Sequence, residues 1–384
     1  MRYAMKIIKQ IITLFLILFV ISCKDSYDLP VNIPATGYLV VDGTINSGQG
    51  ATYLNLSKTV RLVDSFSINY VTNAAVTVEG EDNSRFTLTH RGKGQYVNDQ
   101  LSLGRNQKYR LRIKLTDGKE YLSSYLAVKQ SPPIDSVQWE RDDAGVYIYA
   151  NAKGSANTSG YYRWDYDEDW EFHSQYAPTL KYDTKPSAVY IFQNQSTDFS
   201  RYICYQASRS TTIEILSTAK ISRDTTHYRL VTIPRASWKL SVLYSILVRQ
   251  YSISREGYEY LSRMKKNTEQ TGSIFDSQPS ELKGNIVCVT NPNEPVIGYL
   301  EISDMYSKRI FIKNSEVPSW GYTQGCSQNT LVNHPDSIQA AGYPAPVAPL
   351  NVSLTGTIID FTTTEVICVD CTLRGVVTKP SFWP

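Results

Sequence analysis

Residues 161–172 read YYRWDYDEDWEF. Tyr162, Trp164, Tyr166, Trp170 and Phe172 fall on one parity; Arg163, Asp165, Asp167, Asp169 and Glu171 fall on the other, with Glu168 the exception on the aromatic side. Successive side chains of a strand point to opposite faces, whereas a helix would spread these residues around its axis. The segment therefore predicts a strand with an aromatic wall on one face and an acidic stripe on the other. The wall is expected to be buried core. For the stripe a solvated face is the first expectation and a partner-facing one the second. D-Y-D-E-D-W does supply the first three oxygen donors of a calcium loop, but Trp170 replaces the glycine of the sharp turn and no glutamate stands at the twelfth place, so no metal is expected.

The same period extends toward the N-terminus. In KYRLRIKLT from 108, Tyr109, Leu111, Ile113 and Leu115 alternate with Arg110, Arg112 and Lys114. Short β-rich runs separated by Gly, Asn or Asp begin at 38, 52, 74, 85, 95, 108 and 120, the number an immunoglobulin-like sandwich requires. Thr116-Asp117-Gly118-Lys119 is the hairpin turn between the last two. Ser131-Pro132-Pro133 closes this domain, because consecutive prolines remove ladder donors. The expected organisation is a sandwich over 38–131 and a larger β domain over 132–384. One helix is expected near 255–267, capped by Ser254 and carrying Tyr258, Leu261 and Met264 as its apolar stripe. Residues 173–200 and 314–350 carry prolines and little periodicity and read as long loops, the segments best able to reach a partner or ligand.

The first residues, MRYAMKIIKQIITLFLILFVISCKD, have a different character. Arg2, Lys6 and Lys9 precede an apolar run from Ile11 to Ile21, about half of the roughly 20 residues needed to span a bilayer. This is the layout of a secretory signal over 1–22, and V-I-S-C resembles the lipobox of bacterial lipoproteins. Cys23 is then the lipidated first residue of the mature chain, and 23–37, with two prolines, is a tether. Lys24 at the next position, with Asp25 and Asp28 beyond, resembles outer-membrane sorting and surface-export signals rather than inner-membrane retention.

Removing Arg2, Lys6 and Lys9 leaves 36 basic against 36 acidic residues, so the mature chain is formally neutral. Nucleic acid is an unsuitable partner for a chain with no basic face to displace phosphate counterions. Tyrosine is abundant at 28 residues, which suits half-buried strands. His90, His173, His227 and His334 are scattered, and no zinc-protease, nucleophile-elbow, phosphate-loop or dinucleotide pattern occurs, so catalysis is not expected and no cofactor is implied. Beyond Cys23 the cysteines are 204, 288, 326, 368 and 371, an odd number that leaves one unpaired in a monomer. In an oxidising compartment they favour disulfides. A single C-V-D-C is a weak zinc signal; a bridge from Cys326 to Cys368 or Cys371 is expected.

YLVVDGTI, PPIDSV, YYRWDYDEDWEF, the run from Tyr244 to Ile286, NPNEPVIGYLEIS, KRIFI and the closing CVDC…KPSFW together resemble the Bacteroidota lipoproteins of domain-of-unknown-function family 4249. The resemblance spans essentially the whole mature chain and is most specific from Tyr244 to Ile286. It implies a carboxypeptidase-regulatory-like N-terminal sandwich, an outer-membrane location and a TonB-dependent transporter as partner. The functional expectation is an accessory or ligand-capture partner of such a transporter, or alternatively a structural or assembly subunit with no ligand of its own.

Overall fold

The computed structural model describes residues 37–60, 68–154, 160–183, 188–191, 199–220, 225–269, 282–322 and 325–384. It is mainly β, as the alternation predicts. The first nine strands are β1 (Leu39–Asn46), β2 (Thr52–Lys58), β3 (Asn69–Tyr70), β4 (Ala75–Gly80), β5 (Arg85–His90), β6 (Gln95–Asn98), β7 (Lys108–Lys114), β8 (Glu120–Ser123) and β9 (Leu126–Ala127). They form the expected sandwich. β5 belongs to both layers: residues 85–88 pair with β4, whereas Thr89 and His90 pair with β6. Leu39, Leu54, Val76, Tyr109, Leu111 and Ile113 are fully buried between the layers. The 116–119 turn forms as read, with Gly118 at φ +87° and Leu115 N–H donating to the Lys119 carbonyl.

The second half begins with β10 (Ile134–Arg141), β11 (Gly145–Lys153) and the thirteen-residue β12 (Tyr161–His173). Next come β13 (Leu180–Asp183), β14 (Ala188–Ile191), β15 (Ile203–Arg209), β16 (Glu214–Ser217), β17 (Thr225–Pro234) and β18 (Leu243–Ser252). After the helix Arg255–Glu269 follow β19 (Ile286–Cys288), β20 (Ile302–Ser303), β21 (Met305–Lys313) and β22 (Asn329–Val332). A short helix, Pro335–Ala340, precedes β23 (Ala345–Val352) and β24 (Ile358–Thr364). The sheet β10-β11-β17 packs its Val146, Ile148 and Ile233 against the sheet β15-β12-β18-β21, whose inner face is the aromatic wall.

The sandwich expected over 38–131 does not end at Pro132-Pro133. β19 adds antiparallel to β8 at one edge, and β20 adds parallel to β1 at the other. Between them Ile297 bonds β1 in strand fashion, its carbonyl accepting from Val41 N–H at 2.8 Å and its N–H donating to the Leu39 carbonyl at 2.9 Å. Residues 286–303 thus close both borders of a sheet laid down some 200 residues earlier in the chain.

The helix 255–269 has Ser254 as its cap, the hydroxyl accepting from Gly257 N–H at 2.9 Å. Its buried aromatic is Tyr260 rather than Tyr258, which is only half-buried; the Tyr260 hydroxyl accepts from Gly298 N–H. Glu301 reaches under the first turn and accepts from both the Ser254 N–H and hydroxyl. Gly257 leaves room for this carboxylate, since a Cβ would lie 2.0 Å from Glu301 Oε1 and force it to shift. Burial raises the Glu301 carboxyl pKa, and the Ser254 bonds offset this only in part. A carboxyl raised in the folded state adds stability that is fully present below its unfolded pKa and is lost as pH rises through the folded value. Glu301→Gln is therefore expected to gain stability relative to wild type as pH rises from about 4 to about 8, read as a growing difference in melting temperature. A pH-independent difference would show that Glu301 does not titrate across that range.

Candidate interaction surface

The wall is internal. Tyr162 and Phe172 are fully buried, Trp164 and Trp170 nearly so, and Tyr166 is 9% exposed. Trp164 Nε1–H donates to Gln250 Oε1 at 2.9 Å, and its ring stacks on Tyr228 at 4.9 Å between centroids. Glu168, the exception in the pattern, is held by Lys239 Nζ and the Tyr244 hydroxyl, both at 2.8 Å.

The acidic stripe is not the solvated face that alternation suggests. β18 and β21 bring arginines across it. Arg249 donates to both oxygens of Asp167, at 2.7 and 2.9 Å, and to Asp165. Arg309 bonds Asp169 at 3.0 Å and Ser245 at 2.8 Å. Burial pushes the Asp167 carboxyl up, but Arg249, with Arg209 and Arg309 behind it, outweighs burial and holds it below the usual value. The closing residues then cover part of this face. Trp383 Nε1–H donates to Glu171 and its ring packs edge-on against Tyr205 and Phe311, while the Arg309 guanidinium lies 3.5 Å from the Phe382 ring centroid. The three aspartates that resembled a calcium loop are thus engaged by arginine donors.

The stretches expected as long loops fold together. Residues 173–200 carry β13 and β14, and 314–350 carry β22, the short helix and most of β23. They meet in one C-terminal lobe around the sheet β22-β24-β23. Thr179 N–H donates to the Val347 carbonyl at 2.8 Å, Tyr182 hydroxyl to the Pro344 carbonyl at 2.5 Å, and Tyr176 N–H to the Cys368 carbonyl at 3.0 Å. Leu180, Ile338, Ile358 and Phe361 form one small core, and Ala345, Val347 and Val369 another. Cores of this size rarely hold a fold alone and are commonly reinforced by cross-links.

Two disulfides supply that reinforcement. Cys326 pairs with Cys368, one of the two expected partners; Cys371, the other, pairs instead with Cys204 across 167 residues and ties the lobe to β15. Arg201 and Asp370 form an ion pair at 2.9 Å beside this junction. Among the described residues Cys288 is the free thiol, buried in the first sandwich with its Sγ 3.3 Å from Thr290 Oγ1. Cys23, with the signal and nearly all of the tether, lies outside the described residues.

The lobe also carries many of the exposed large apolar side chains. Of twenty exposed among the described residues, nine lie between Val332 and Leu373. Scattered exposed Leu or Val are ordinary, whereas a contiguous apolar patch is the kind of surface that suits an interaction. Sequence reasoning assigned 314–350 to a loop able to reach a partner, and foresaw neither its strands nor the exposed apolar residues beyond it. The available signal was charge, because Ser337–Ile359 contains no Asp, Glu, Lys or Arg. Among the described residues, no helix is long and apolar enough to cross a membrane.

A family model described as a domain of unknown function, DUF4249, matches residues 25–309. The match covers both sandwiches and stops within β21, before the lobe strands β22 to β24 and before Cys326, Cys368 and Cys371. No curated protein matches the chain.

Proposed function

The chain belongs to the DUF4249 family, and from that premise we propose that it is an outer-membrane lipoprotein, exposed on the cell surface, that docks as an accessory subunit on a TonB-dependent barrel. The observation that carries this reading is the apolar C-terminal lobe, a cross-linked body whose surface suits a protein or membrane neighbour more than water. The V-I-S-C sequence at the end of a short apolar run supports the anchor.

Between ligand capture and an assembly role, the disposition of the aromatics favours assembly. Tyr162, Trp164 and Trp170 are committed to the core, so they offer no platform to a ligand. The scattered histidines and arginine-neutralised carboxylates likewise support a non-catalytic role. The deciding experiment is purification of the full chain from its native membranes, with identification of whatever barrel accompanies it. Recovery without a barrel under mild extraction would remove the transporter from the proposal.

Cys23→Ala is expected to abolish fatty-acid labelling and to move the protein from the membrane to the soluble fraction. Palmitate incorporation that persists in this variant would disprove anchoring at Cys23.

A further inference from the structure

The hairpin of β23 and β24 ends in the turn Ser353-Leu354-Thr355-Gly356-Thr357. Leu354 is fully exposed at its apex, with Leu350, Val352 and Ile359 about half exposed along its flanks and Val332 beside them on β22. We infer that this apex inserts into the lipid bilayer, as a second membrane contact of the anchored chain. The inference rests in part on the lipoprotein reading, because lipidation at Cys23 would keep a bilayer within reach. The fifteen residues from Cys23 to Gly37 can extend at most about 50 Å.

Three observations favour lipid over water or a polar partner. The first is charge: at the chain's overall 20% charged fraction, the 23 residues Ser337–Ile359 should hold about four or five charged side chains, and they hold none. Charge is what the bilayer interior penalises most. The second is the bonding of the turn. Ser353 N–H donates to the Thr357 carbonyl, Gly356 N–H to the Ser353 carbonyl, and Thr357 N–H to Ser353 Oγ, which also bonds Thr355 Oγ1 at 2.8 Å. These internal bonds lower the cost of moving the turn from water into the interfacial region, where its remaining backbone groups stay hydrated. The third is shape, a narrow protruding tip suited to shallow interfacial insertion. Asp360, the next charge along the strand, is set back from the apex with both oxygens accepting from Asn351 Nδ2 at 2.9 Å. With no Lys or Arg in the stretch, insertion depends on apolar contact and not on anionic headgroups.

The test uses the full chain with Leu354→Cys carrying a nitrobenzoxadiazole label, mixed with phosphatidylcholine and phosphatidylethanolamine vesicles that contain spin-labelled acyl chains. A second label, at exposed Glu81→Cys on the first sandwich, is the control. The Leu354 label is expected to shift to the blue and be quenched, while the Glu81 label stays unchanged. Flotation of wild type beside Cys23→Ala reads the anchor separately. A chain that floats through Cys23 but whose tip label is neither shifted nor quenched keeps the anchor and overturns the insertion. A tip quenched by vesicles in a chain that does not float supports insertion and removes the anchor. A tip label that responds only to a quencher placed on a co-purified barrel assigns the hairpin to a protein and overturns the proposal. Because the Leu354 side chain makes no core contact, neither its label nor Leu354→Asp, which should abolish the blue shift of a label at Val352→Cys, threatens the fold.

Discussion

Trp164→Ala combined with Phe172→Ala should leave the second sandwich unfolded or close to its stability limit. Each removes a fully or nearly fully buried ring of β12, and such losses cost about 3–5 kcal/mol each. The two positions are eight residues apart on one strand, roughly 26 Å, too far to share a cavity, so the costs should add. The sum then approaches or exceeds a typical total stability of about 5–15 kcal/mol. Trp164→Ala also leaves the Gln250 side-chain oxygen without its indole donor, a further loss of about 1–3 kcal/mol for a buried acceptor. Thermal unfolding followed by near-ultraviolet circular dichroism provides the measurement. If the double variant keeps its melting temperature yet no longer retains a membrane partner, the wall is a recognition surface and its assignment to the core is wrong.

The second large effect concerns the cysteines. Closing 167 residues with Cys204–Cys371 stabilises by about 5 kcal/mol in the chain-entropy model, against about 4 for the 42 residues closed by Cys326–Cys368. Cys204→Ser with Cys371→Ser should therefore cost more than Cys326→Ser with Cys368→Ser, and the character of the loss should differ as well. The first pair joins the lobe to β15 beside Phe172, so its removal should lower the stability of the second sandwich as well as loosen the lobe. The second pair joins two parts of the lobe, and its removal should expose residues 326–368 to proteases while the sandwiches keep their protection. Denaturant titration with limited proteolysis separates these outcomes. Equal loss and identical cleavage in both variants would contradict the division of roles.

What could be read from the sequence was local. The parity of YYRWDYDEDWEF gave the faces of β12 correctly, and Ser254 as cap marked the helix start to the residue. The failures are contacts between distant segments. Arg249 and Arg309 face the acidic stripe from strands about 80 and 140 residues further on, and alternation within one strand carries no information about cross-strand register. The lobe escaped detection for a related reason. β13 and β22 have four residues each, and β23 holds Pro346 and Pro349 in an irregular register, so none shows a period long enough to distinguish it from loop. Cys371 was placed among the right candidates, but its partner sits 167 residues upstream, where spacing offers no guide.

The return of residues 286–303 to the first sandwich sets an order on maturation. The chain is made from its N-terminus, and β1 to β9 leave the ribosome long before β19 and β20. Until residue 303 has followed, β8 and β1 present bare backbone at opposite borders of the sheet, the condition under which strands pair with foreign chains. The long sequence separation of these pairings also makes them slow to form. While the chain is being made, the incomplete sheet is thus a natural client for a chaperone that covers strand edges. A fragment ending near Ser131 would hold that vulnerable state permanently, whereas the full chain passes through it once and seals both borders with a single later segment.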